Sequence, residues 1–125
     1  MKRRNRTILI GLAVAAALPV CFVAFLASRP ISPVTVIVRN GSGRAIEAVR
    51  LEHDRGIEVL ESLEPSESKT IRFTAGGETS YTLRVRFRDG SEVRSNPQYA
   101  ESGYEFTETV RDSGIESDVR LPKPY

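Results

Sequence analysis

Residues 79–90 read TSYTLRVRFRDG, the clearest periodic stretch of the chain. Tyr81, Leu83, Val85 and Phe87 alternate without a break against Thr82, Arg84, Arg86 and Arg88. A period of two puts one set on a buried face and the other on a solvent face, so the stretch is a half-buried β-strand. A helix would mix the two sets around its circumference. Asp89-Gly90 then supplies the dipeptide that turns a hairpin, and Glu92 to Ser95 is a short return strand stopped at Asn96-Pro97.

The same grammar repeats on either side of this stretch. Val34, Val36 and Val38 alternate with Thr35, Ile37 and Arg39 before a turn at Asn40-Gly41-Ser42-Gly43. Residues 45–53 form a second extended run. Its Val49 and Leu51 share a face, while Ile46 has the other parity, which predicts a bulge near Glu47. Asp54-Arg55-Gly56 turns into a third run, Ile57 to Leu63. Pro65 to Ser68 is a loop, and Thr70 to Thr74 is a strand with Ile71 and Phe73 inward. After Gly103, Tyr104, Phe106 and Val110 share a face, and residues 115–121 add an edge strand. Short strands with turn signals every 8–12 residues predict seven or eight strands in an all-β, antiparallel sandwich or small barrel over residues 34–121. No stretch after residue 33 has a helical period, and residues 122–125 are a tail.

The N-terminal part follows other rules. Ile8 to Ala27 is a run of twenty uncharged residues behind Lys2, Arg3, Arg4 and Arg6. At ~1.5 Å per residue it matches the ~30 Å of a bilayer's hydrocarbon core. The basic stub, residues 1–7, makes the positive-inside prediction: a single-pass helix over 8–27, N-terminus in the cytoplasm, the remainder outside. A cleaved signal peptide fits less well, because its apolar core is shorter and cuts after Ala24 or Ala27 would leave Phe22 or Phe25 at −3. A lipoprotein signal at Cys21 is disfavoured by Pro19 and Val20 before it. Residues 28–33, SRPISP, are a stiff short linker that keeps the folded part near the membrane surface.

Charge excludes one class of partner. The 125-residue chain has a formal charge of +2, yet four of its eighteen basic residues precede the apolar run. The fourteen that follow face sixteen acidic residues, a balance of −2, so no nucleic-acid partner is expected. The single cysteine lies in the apolar run, and no disulfide supports the strands.

Candidate site residues are few. Arg84, Arg86 and Arg88 form a stripe suited to an anionic partner, or else a solvated row paired with acids such as Glu92 or Glu105. His53 beside Asp54 lacks a nucleophile and an orienting group, so no catalytic role is expected. One histidine and carboxylates are a poor metal set. Glu58, Glu61, Glu64 and Glu67 recur every three residues and read as solvated charge rather than a calcium loop. Asn40-Gly41-Ser42 matches a glycosylation acceptor, but its turn role accounts for it. Tyr99, Tyr104 and Tyr125 are candidate partner anchors, with Tyr104 expected in the core. No cofactor and no small-molecule substrate is inferred.

Several segments carry a resemblance. Val36 to Gly43 (V-x-V-R-N-G-S-G), Ile46 to Leu51 (I-x-x-V-x-L), Asp54-x-Gly56, and Leu63 to Ser68 leading into Ile71 and Phe73 resemble a bacterial envelope domain type related to immunoglobulin and fibronectin folds, often called FxLYD-like. The run Thr79 to Gly90 is similar to the fibronectin type III strand that bears the tyrosine-corner residue, with Tyr81 in that place. The resemblance implies an immunoglobulin-like sandwich without catalytic residues; with the N-in anchor, the expectation is a periplasmic domain on the bacterial inner membrane. It implies a binding or scaffolding role toward another envelope protein. An anchored immunity protein that blocks a periplasm-acting toxin or hydrolase is the alternative.

Overall fold

The computed structural model describes residues 32–123. The basic stub with Lys2, Arg3, Arg4 and Arg6, the apolar run 8–27, the linker up to residue 31, and Tyr125 lie outside the described residues.

Nine strands follow one another: β1 (Val34–Asn40), β2 (Ile46–His53), β3 (Gly56–Leu63), β4 (Ser68–Phe73), β5 (Thr79–Phe87), β6 (Glu92–Arg94), β7 (Gln98–Ala100), β8 (Glu105–Arg111) and β9 (Gly114–Arg120). They form two sheets. The first has the order β4-β1-β8-β9; the second has β3-β2-β5-β6, with β7 also paired to β5. The inward sets of both sheets meet in one core. Val34, Val36, Val38, Ile71, Phe73, Phe106 and Val110 come from the first, and Val49, Leu51, Tyr81, Leu83, Val85 and Phe87 from the second. Tyr81 and Phe106 meet edge to face across the two, at 5.0 Å between centroids. The alternation expected of residues 81–87 is what β5 shows, with Arg86 exposed and all four of its apolar residues buried. The bulge also falls where it was expected, between Ile46 and Ala48.

Two expectations need correction. Among the described residues the strands number nine rather than seven or eight. Asn96-Pro97 does stop the return strand, but pairing resumes at β7, opposite Thr79, Ser80 and Tyr81. Ser95 bridges the gap: its N–H donates to the Leu83 carbonyl at 3.0 Å, and its Oγ accepts the Leu83 N–H at 2.9 Å. A side chain thus stands in for the missing ladder contact. Second, the sandwich is not wholly antiparallel. β1 pairs antiparallel with β4 but parallel with β8, Val36 lying beside Phe106. Local patterns cannot show this, because parallel pairing joins segments distant in the chain. The turn after Asn40 is where it was expected. It carries the chain from the first sheet to the second.

That crossing is held by Asn40, which is wholly buried. Its Nδ2 donates to the Arg44 and Leu63 carbonyls at 2.8 and 3.0 Å. Its Oδ1 accepts the N–H and hydroxyl of Ser42 at 3.0 and 2.6 Å. Both amide hydrogens are spent on the fold, which closes this asparagine to glycosylation and confirms its turn role. Gly41 follows because a Cβ there would lie 2.9 Å from Thr109 Cγ2 and 3.2 Å from the Val110 carbonyl.

Candidate functional site

The outward face of the second sheet gathers the basic residues. Register places Val59 of β3, Arg50 of β2, Arg84 of β5 and Arg94 of β6 in one row across four strands. The next row is Glu61, Ala48, Arg86 and Glu92. The small side chain of Ala48 leaves a depression of about 240 Å³, lined by Ala48, Arg50, Val59, Arg84, Arg86 and Glu92. The stripe expected along β5 is therefore only part of the arrangement. The basic row runs across the strands, and it includes Arg50 and Arg94, which inspection of one strand at a time passes over.

Each member of the expected stripe has an acidic neighbour. Arg84 Nε lies 3.6 Å from Glu52 Oε1, which Arg50 Nε shares at 3.4 Å. Arg86 Nε lies 3.5 Å from Glu92 Oε1. Arg88 Nη2 meets Glu64 Oε1 at 2.5 Å, beyond the end of β5 and away from the depression. Glu92 is thus a partner as expected, whereas Glu105 belongs to the other sheet. The pairing is incomplete. Arg84 Nε is buried without a hydrogen-bond partner, and Arg94 has no ion pair among the described residues. Like charges directly opposite one another in a sheet are destabilising, and in the Arg50–Arg84–Arg94 row Glu52 offsets this for Arg50 and Arg84 while Arg94 has no such partner among the described residues.

A second polar cluster lies in the core. Glu108 has the same parity in β8 as Phe106 and Val110 and is fully buried. It accepts the Tyr81 hydroxyl at 2.5 Å and the Ser117 hydroxyl. Burial pushes its carboxyl above the usual carboxylate range, against the pull of the two hydroxyl bonds. Burial, and then Glu108, push the Tyr81 hydroxyl the same way. Tyr81 thus bonds a side chain of the opposite sheet, whereas a tyrosine corner bonds nearby backbone.

The remaining candidates do not converge. His53 stacks on Phe73 at 4.3 Å, its Nδ1 accepts the Arg55 N–H at 3.3 Å, and Nε2 lies 3.4 Å from Glu58. The other glutamates of that series serve separate contacts: Glu64 with Arg88, and Glu67 with Lys69 at 3.9 Å. Among the described residues no group of three or more acidic, histidine or cysteine side chains is placed to hold a metal ion. Tyr104 is partly buried against the core, as expected, while Tyr99 is 52% exposed and donates to Glu101 at 2.5 Å.

Arg44, unremarked in the sequence, ties three loops together. It lies over the Phe87 ring at 3.8 Å, reaches Asp89 Oδ2 and Ser91 Oγ at 2.8 Å, and bonds Asp112 Oδ1 at 3.2 Å. Asp89, which accepts the Ser91 hydroxyl and N–H and faces Arg44, has its carboxyl lowered to about 2. No signal short of the three-dimensional fold connects these loops, which are separated by 45 and 68 positions.

No family model and no curated protein matches the chain. Among solved structures, it is similar to the NMR structure of a protein from Eubacterium rectale. The TM-score is 0.57 and the identity 7%, over 74% of this chain and 92% of that one. At that identity the likeness concerns the fold alone.

Proposed function

We propose that this chain is a non-catalytic, membrane-anchored accessory protein of the bacterial envelope, whose immunoglobulin-like domain docks on another envelope protein by strand addition. The fold assignment draws on strand order. β3-β2-β5-β6 follows the C′-C-F-G order of immunoglobulin sheets, and β4-β1 stands in the place of E-B. The anchor and the periplasmic placement rest on the apolar run and its basic flank.

The observation that carries the docking reading is a contrast between two edges. The β3 edge is blunted. Near its end, Lys69 Nζ donates to the carbonyls of Glu61 and Ser62 at 2.9 and 2.7 Å, and Ser62 adopts a φ of 46° that kinks the strand opposite the β2 bulge. The β9 edge carries exposed charges at Glu116, Asp118 and Arg120, but among the described residues no lysine caps its carbonyls and none of its residues has a positive φ. Among the described residues it pairs only with β8, and Val119 and the adjoining Leu121 are 47% and 59% exposed. Both edges expose apolar side chains, Ile57 and Val59 on β3 included; the difference is that the β9 carbonyls are uncapped, and an uncapped edge is a template for a partner's strand.

Crosslinking and pull-down of the full chain at native expression test the reading. A specific envelope partner is expected, and Val119→Lys, which places an edge lysine, should abolish its recovery. A clean monomer at native expression, or a partner retained by Val119→Lys, would count against docking at β9. A toxin or hydrolase as the recovered partner would assign the immunity role instead.

A further inference from the structure

The outward face of the second sheet has features that neither the fold nor the β9 edge needs. Three guanidinium groups, Arg50, Arg84 and Arg94, stand directly opposite one another on adjacent strands. Adjacent strands are ~4.8 Å apart, so the row spans roughly 10 Å. Arg50 and Arg84 share one oxygen of Glu52 through their Nε atoms, at 3.4 and 3.6 Å, longer than good hydrogen bonds. Among the described residues no hydrogen bond engages the Nη atoms of Arg50, Arg84 or Arg94, so their forked donor edges are open. The depression over Ala48 lies beside them, and its apolar wall is Val59, 59% exposed, next to Ile57 at 49%.

From this arrangement we infer that the depression binds a short, extended, acidic segment of a partner protein. Its carboxylates would take the open forks of Arg84 and Arg94, and an aliphatic side chain would lie on Val59. Arginine presents two parallel donors that match a carboxylate. Glu52 offsets part of the repulsion between Arg50 and Arg84, and an anion bound at Arg84 and Arg94 would offset the rest. Charge pattern selects the occupant. Glu52, Glu61 and Glu92 are interspersed with the arginines on this face. A continuous polyanion or a charged lipid surface would press against those carboxylates, whereas a peptide with spaced acids and apolar residues can alternate with them. The site rests on the reading that the domain docks on a protein, but it uses a different surface from the β9 edge.

The test uses the full-length protein and a fluorescent, end-blocked octapeptide of alternating aspartate and valine, followed by anisotropy. The matched asparagine–valine peptide and vesicles of phosphatidylglycerol serve as comparisons. We expect saturable binding that weakens as salt screens it, and binding of the asparagine peptide weaker by about tenfold or more. The double variant Arg84→Gln/Arg94→Gln should lose about tenfold as well, while Arg72→Gln on the other sheet should bind as the wild type does. Circular dichroism confirms that each variant folds. Aspartate-peptide binding that survives the double variant, or equal binding of both peptides, would overturn the inference. So would vesicle binding that the double variant abolishes while the peptide fails to bind, since it would assign the row to the membrane. Native pull-down separates this claim from the docking reading. A partner recovered equally by wild type and double variant leaves docking at β9 standing and removes the arginine row from it. Row-dependent peptide binding without any recovered partner does the reverse.

Discussion

Glu108 is the residue on which the core's chemistry turns. Burial raises its carboxyl pKa in the folded chain, so the folded state holds that proton more tightly than the unfolded state does. The sign follows: this group's contribution to stability is greatest below the unfolded value, roughly 4.3, and is lost as pH rises through the folded value. Replacing it by glutamine removes the titration and keeps an acceptor for a hydroxyl. In urea unfolding, Glu108→Gln should therefore gain on the wild type between pH 4.5 and pH 7.5. A constant difference across that range would mean that burial does not perturb the carboxyl. Glu108→Ala should instead cost about 2–4 kcal/mol, because it opens a void and orphans the Tyr81 hydroxyl. The sequence did contain the signal. Glu108 has the parity of Phe106 and Val110, but a charged residue between apolar ones is read by default as lying outside the face. What the pattern could not supply was its partners, since Tyr81 and Ser117 come from other strands.

Among elements, β5 was legible because both of its faces obey one period, whereas β7 was not. Three residues after a proline have no periodicity to read, and their pairing depends on Ser95 carrying the break. Ser95→Ala should strand the Leu83 N–H in a buried place and cost about 1–3 kcal/mol. Hydrogen exchange at Leu83 should quicken in step, and unchanged protection there would show that Ser95 is not the bridge. The basic row illustrates the same limit. Arg84 and Arg86 were visible along one strand, but Arg50 and Arg94 join them only through register, which is a property of pairs of strands. If the row is repulsive, Arg94→Gln should stabilise the free protein by about 0.2–1 kcal/mol at low salt. The gain should vanish in 1 M salt, where the screening length is ~3 Å. A variant less stable than wild type at low salt would show that Arg94 supports the fold.

At the scale of the whole molecule, the fold class was readable and the topology was not. Turn spacing and alternation announce strands, but neither contains the information that residue 36 lies beside residue 106. The predicted orientation has its own test. A reporter enzyme active only outside the cytoplasm, fused after Tyr125, should be active in a bacterial host; an inactive but intact fusion would reverse the topology.

The parallel pairing of β1 with β8 has a temporal consequence. β1 is covered on one side by β4, but its other side waits for residues made some seventy positions later. A long loop must close before that contact rewards the chain, which slows folding. While it waits, β1 offers the whole unpaired length of Val34–Asn40 to any passing strand. The first strand described is thus among the last to be sealed. A chain stalled or clipped before Glu105 would have a hydrophobic seam with nothing to shut it, and such truncation products should be cleared by proteases or aggregate rather than persist as a smaller folded domain.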